Sequence, residues 1–193
     1  MCGMTGWVDY SRDPTREQAV IEAMTETMAC RGPDASGVWL QSMVALGHRR
    51  LAVIDLAGGA QPMVVSTPSG DVALVYTGEV YNYTELRHEL IAKGHSFETA
   101  SDTEVILCSY LQWGEALADR LNGMYAFAIW DSRERKLVMI RDRMGVKPLY
   151  FYPTPDGALF GSEPKAIFAN PLARRAVDLD GLRELLVLSL IHI

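Results

Sequence analysis

The residue with the most chemical promise is the second one. A cysteine directly follows the initiator methionine, in Met1-Cys2-Gly3. If Met1 is removed, the α-amino group of Cys2 lies within reach of its own thiol. Such an amine has an unperturbed pKa of about 8, so an appreciable fraction is free base at neutral pH. It can take the thiol proton directly or through a water, as an N-terminal threonine uses its own amine. Taken alone, a cysteine at position 2 is more simply read as chance. The other two, Cys30 and Cys108, show no metal-ligand spacing with it, and three cysteines leave one unpaired in any disulfide scheme.

Elements must bring such a thiol to a substrate. Residues 3–10 read as a first strand. Asp13-Pro14-Thr15 sets up a helix, with Thr15 as its cap and Gln18 three residues on. Its apolar face is expected at Ala19, Val20, Ala23, Met24 and Met28, and Arg31-Gly32-Pro33-Asp34 stops it. Strand-like pieces at 37–41 and 44–47 precede a loop with Gly58-Gly59 and Gln61-Pro62. An apolar strand at 72–76 ends at Thr77-Gly78-Glu79. Two helices follow, at 83–92 and 103–113, the second opened by Ser101-Asp102. The run 124–130 is too continuously apolar for an edge strand, and 136–140, 149–152 and 158–160 complete the strands. Their close spacing and the turns 131–136 and 155–157 predict antiparallel pairing. The pattern predicts an antiparallel sandwich with helices outside, an α+β architecture, over a doubly wound parallel sheet.

At 193 residues the chain can bury a sizeable core without disulfides. No window approaches the roughly 20 apolar residues of a membrane span, and the N-terminus lacks a secretory pattern, so a cytoplasmic protein is expected. A net charge of -6 argues against a nucleic-acid partner.

A set of motifs then carries a resemblance. Met1-Cys2-Gly3-Met4-Thr5-Gly6, Arg31-Gly32-Pro33-Asp34 and the run 47–55 (GHRRLAVID) are similar to the class II glutamine amidotransferases. Gln61-Pro62-Met63, Gly78-Glu79-Val80-Tyr81-Asn82 and Ser101-Asp102-Thr103-Glu104 extend the likeness to asparagine synthases in particular. So do Asn122-Gly123-Met124-Tyr125, the run 141–150 (RDRMGVKPLY) and Ser162-Glu163-Pro164-Lys165. The resemblance implies an N-terminal-nucleophile hydrolase with a four-layer αββα fold. It places the glutaminase domain at 2–176 and the start of a linker at 177–187. The remaining 188–193 are expected to be a non-native tail.

The same resemblance implies roles. Cys2 attacks the amide of glutamine, releases ammonia, and leaves a thioester that water hydrolyses. Arg50 binds the substrate carboxylate through a two-pronged contact. Glu79 and Asp102 hold the ammonium, with Val53 also at the substrate. The bland readings are a surface ion pair for Arg50 and a helix cap for Asp102. Gly78 supplies a backbone N–H to the oxyanion. Thr77 stands where the family usually has asparagine, and its shorter hydroxyl is the candidate second donor. Cys30 stands where the family usually has histidine and is read as a small packed substitute. His48 is read as a structural hydrogen-bonding group, and Cys108 as core. No cofactor is expected in this domain. ATP and Mg belong to a synthetase domain in the same chain, and a homodimer is possible at full length. The alternatives are a glutaminase with another acceptor acid, or a non-catalytic domain that binds glutamine or serves as a scaffold.

Overall fold

The computed structural model describes residues 1–53, 55 and 58–187. Its elements run β1 (Gly3–Asp9), a 3-10 turn (Pro14–Glu17), α1 (Gln18–Glu26), β2 (Ala35–Gln41), β3 (Val44–Arg50), β4 (Met63–Thr67) and β5 (Gly70–Val80). Then come α2 (Tyr83–Ala92), α3 (Asp102–Trp113), a second 3-10 turn (Gly114–Asp119), β6 (Gly123–Asp131), β7 (Lys136–Arg141), β8 (Tyr150–Thr154), β9 (Gly157–Gly161), α4 (Pro164–Phe168) and α5 (Leu179–Val187). The strands form a five-stranded sheet ordered β2-β3-β1-β9-β8 and a four-stranded sheet ordered β4-β5-β6-β7. Every pairing is antiparallel.

Alternation along the strands explains the layers. On β5, Val72, Leu74 and Tyr76 pack under α2 and α3, while Ala73 and Val75 turn toward the other sheet. On β6, Tyr125, Phe127 and Ile129 join the first set, and Ala126, Ala128 and Trp130 the second. Met4, Val8, Val44, Leu46 and Phe160 meet them from the five-stranded sheet. That sheet's outer face, at Trp7, Ala45 and Leu159, is covered by α1 and α4. The result is the helix–sheet–sheet–helix stack expected from the sequence. Small residues at Ala73, Ala126 and Ala128 suit a close approach of the sheets. Gly6, on the same inner face, makes room for the ring of Phe160 on the neighbouring strand β9, which a Cβ there would strike.

Several local expectations are corrected. Asp13, not Thr15, caps the first turn: its Oδ1 accepts from the Thr15 N–H at 3.1 Å and the Thr15 hydroxyl at 2.6 Å. Pro14 at the first helical position then directs the chain into the turn. The buried stripe of α1 is Ile21, Met24 and Thr25, continued by Met28 in the turn beyond its end, with Ala19 and Ala23 exposed. The larger side chains take the contact face and rotate the helix accordingly. Cys30 is exposed, because the turn after buried Met28 swings it outward. Strand β4 and helix α4 had no counterpart in the sequence reading. Residues 188–193, read as a tail, lie outside the described residues. Val177, Leu179 and Leu182 around the start of α5 are exposed.

Candidate active site

Strand β1 starts at Gly3, so Cys2 sits at the open end of the central strand of the five-stranded sheet. Its thiol is held from both sides by one residue following β3. The Leu51 N–H donates to Cys2 Sγ at 3.3 Å, and Sγ–H faces the Leu51 carbonyl at 3.5 Å. The Cys2 carbonyl is fixed as firmly: Arg31 Nε donates to it at 3.0 Å and the Thr77 hydroxyl at 3.1 Å. Arg31 is itself braced, with Nη1 3.3 Å from Glu163 Oε1, and Glu163 binds Lys165 at 2.6 Å. The Met1 ammonium donates to the Arg31 carbonyl at 3.1 Å.

Cys2 opens on a cavity lined by Arg50, Val53, Thr77, Gly78, Glu79 and Asp102, among others. The fold thus gathers every site residue named from the sequence around one hollow. Thr77 is buried, at 1% exposure, and its hydroxyl is directed at the Cys2 carbonyl. Its place on β5 accounts for this. Tyr76 faces the helices, so Thr77 must face the sheet that carries Cys2. Gly78 has φ +147, a conformation side chains rarely adopt, and a Cβ there would strike the Met124 carbonyl oxygen.

Asp102 is not the cap of α3; Ser101 is, its Oγ accepting from the Glu104 N–H at 3.4 Å. That leaves the Asp102 carboxylate to the cleft. Its Oδ2 accepts from the Tyr76 hydroxyl at 2.7 Å and the Val80 N–H at 3.2 Å. Burial raises its pKa above the ordinary carboxylate value, and these bonds partly oppose the rise. Burial, then the neighbouring Asp102, pushes the Tyr76 phenol well above its usual range, so it stays a donor. Glu79, half-buried on the same wall, has no hydrogen-bond or ion-pair partner among the described residues. Arg50 reaches over the hollow, with Nη2 2.5 Å from the Asp55 carbonyl. Val53, 65% exposed, stands at the mouth.

Beneath the site, His48 on β3 meets the Tyr76 carbonyl across the sheets, with Nε2 at 3.0 Å. Burial pushes its pKa down to about 4; the Tyr76 carbonyl opposes this and the Arg50 charge adds to it. A neutral imidazole donating to that carbonyl is a tie between the sheets. Cys108 is buried and its thiol is pushed up to about 11, chiefly by burial, which leaves it inert.

Three contributors went unread in the sequence. Leu51 acts through its backbone, which leaves no side-chain signature. Tyr76 looked like one more apolar strand residue. Lys147, buried in the wall of the cavity, sits inside the 141–150 motif, where only the motif and not the residue was singled out. Among the described residues, no cluster of His, Cys, Asp or Glu is arranged to hold a metal ion, and no helix is long and apolar enough to cross a membrane.

Comparison with known proteins agrees with this geometry. The chain is 48% identical over 185 residues to the glutamine-hydrolysing asparagine synthetase 3 of Bacillus subtilis, covering 96% of this chain and 30% of that protein. It is 36% identical over 186 residues to a putative glutamine-hydrolysing asparagine synthetase 2 of Methanocaldococcus jannaschii, covering 88% and 35%. The chain therefore spans about a third of the length of these curated relatives. Among solved structures, the glutamine phosphoribosylpyrophosphate amidotransferase of B. subtilis superposes with a TM-score of 0.68 at 22% identity, over 88% of this chain and 43% of that one. That likeness shows a shared fold, the N-terminal-nucleophile hydrolase fold of two antiparallel sheets between helices. With the glutamine amidotransferase domain matched over residues 1–193, the chain belongs to that family.

Proposed function

We propose that this chain hydrolyses glutamine to glutamate and ammonia, with Cys2 as nucleophile. The observation that carries the reading is a pinned thiol opening on a hollow that also holds Arg50, Glu79 and Asp102. In the Met1-processed chain the Cys2 amine takes the thiol proton, and the sulfur attacks the amide carbon. The oxyanion accepts from the Gly78 N–H. The amine returns its proton to the leaving nitrogen, ammonia departs, and a thioester remains. Water, deprotonated by the same amine, attacks the thioester and releases glutamate and the thiol. Arg50 pairs with the α-carboxylate, and Glu79 with Asp102 receives the α-ammonium. Val53 closes over the substrate from the mouth.

In the same proposal the ammonia passes to a synthetase domain that amidates aspartate in the cytoplasm, with 177–187 as the linker between them. ATP and Mg belong to that domain, and no step here is routed through them. The names of the relatives and the share of their length that this chain spans support this part. The test is glutamate release from glutamine by the purified, Met1-processed chain beside Cys2→Ala. Release that disappears with the thiol supports the proposal. No release above the variant, with the N-terminus confirmed free, overturns it for the isolated chain and favours the scaffold reading.

A further inference from the structure

Lys147 is an unexplained cost to the fold. The residue is only 6% exposed, yet among the described residues no carboxylate lies within 4.0 Å of its ammonium. The sole polar contact of Nζ among them is the Met1 thioether, at 3.3 Å, a weak acceptor. An ammonium taken out of water without a counter-charge is expensive, so packing alone does not account for it. The loop that carries it is firmly built. Asp142 accepts from the backbone N–H groups of Val146, Lys147 and Tyr125, at 2.8, 3.0 and 3.3 Å. Arg141 Nε donates to the Lys147 carbonyl at 2.6 Å. The frame fixes the residue where its ammonium meets the chain's first side chain, in the wall of the cavity that holds Cys2.

Removal of Met1 takes away that contact and leaves the ammonium and the new α-amine of Cys2 on the lining of one cavity. We propose that Lys147 is a positioning residue for the proton of the nucleophile. Its charge disfavours the protonated Cys2 amine and favours the thiolate, so that base and nucleophile are both ready near neutral pH. The proposal rests on Cys2 being the nucleophile. The other charged and titratable groups around the amine and thiol are Arg31 with its partner Glu163, Arg50, Tyr76, Glu79 and Asp102. Glu163 is already engaged by Arg31 and Lys165. Glu79 and Asp102 line the same cavity, and in this reading their charges meet the substrate ammonium when glutamine binds.

The experiment follows the alkylation of Cys2 by iodoacetamide against pH, read peptide by peptide by mass spectrometry. It uses the Met1-processed chain in a Cys30→Ser background, because Cys30 is exposed. Lys147→Met, close in shape and uncharged, should move the midpoint up by about one pH unit. Lys147→Arg should restore it, and Lys147→Gln, polar and uncharged, should behave like Lys147→Met. A midpoint that stays in place in whichever neutral variant retains the wild-type circular dichroism overturns the proposal. Alkylation needs no glutamine turnover. If Lys147→Met shifts the midpoint while the wild-type chain releases no glutamate, the glutaminase reading fails and only the effect of Lys147 on the Cys2 thiol remains.

Discussion

The Cys2 carbonyl takes two hydrogen bonds, from Arg31 and Thr77, and this decides what a threonine does at a position where an amide is usual. With its hydroxyl proton directed at Cys2, Thr77 acts on the nucleophile's placement. Thr77→Val should lower kcat by roughly 10-fold to 100-fold with little change in KM, the size expected for a misplaced reacting group. Thr77→Ser should recover most of the rate; equal losses in Val and Ser would contradict the assignment. Asp102 gives a second prediction. Its raised pKa means that it loses its negative charge, as pH falls, sooner than an ordinary aspartate. KM for glutamine should therefore rise as pH falls, starting above the ordinary carboxylate range, while Asp102→Asn should show a high KM with that limb flattened. Steady-state kinetics across pH read both. That Cys2, Arg50, Glu79 and Asp102 would share one hollow was legible through the motifs that carry the family resemblance. The direction of Thr77 was not, since it depends on which face of β5 the threonine occupies.

At the scale of elements, the inner faces of the sheets leave little room. Gly6→Ala should cost about 1–3 kcal/mol, as extra volume in a packed core does, and a thermal melt will show it. Gly78→Ala must strain its backbone and strike Met124, so loss of activity should accompany loss of stability. The strong alternation in 72–76 and 124–130 made the central strands readable before the structure. Strand β4 escaped because its five residues border a loop rich in Gly and Pro and lie at the sheet edge. In the stripe of α1 Met24 was read correctly, but alanines fit several faces of a helix equally well, and only the neighbouring sheet selects Ile21 over Ala19 and Ala23. The handover from Asp102 to Ser101 as cap shifted by one residue, a distance that periodicity does not resolve.

For the whole molecule, His48 links stability to pH. Its folded pKa of about 4 lies below the ordinary value of 6.5, so the unfolded chain binds the extra proton between those limits. Stability should be full above about pH 6.5 and fall as pH drops toward 4, by an amount on the order of 3 kcal/mol. Urea melts across this window should show the slope, and His48→Gln should flatten it.

The strand order carries a consequence in time. β1 lies between β3 and β9, so its second partner is residues 157–161, about 150 residues behind it in the chain. Until those residues leave the ribosome, the first strand lacks one neighbour, and the methionine before it, 58% exposed in the finished fold, has not made its final contacts. At about 5–20 residues per second, synthesis of that stretch leaves roughly eight to thirty seconds in which an aminopeptidase works on an unfinished sheet. A late-acting peptidase would meet Met1 already bound through its ammonium to Arg31 and through its sulfur to Lys147. The timing of translation thereby becomes part of how the nucleophile is made.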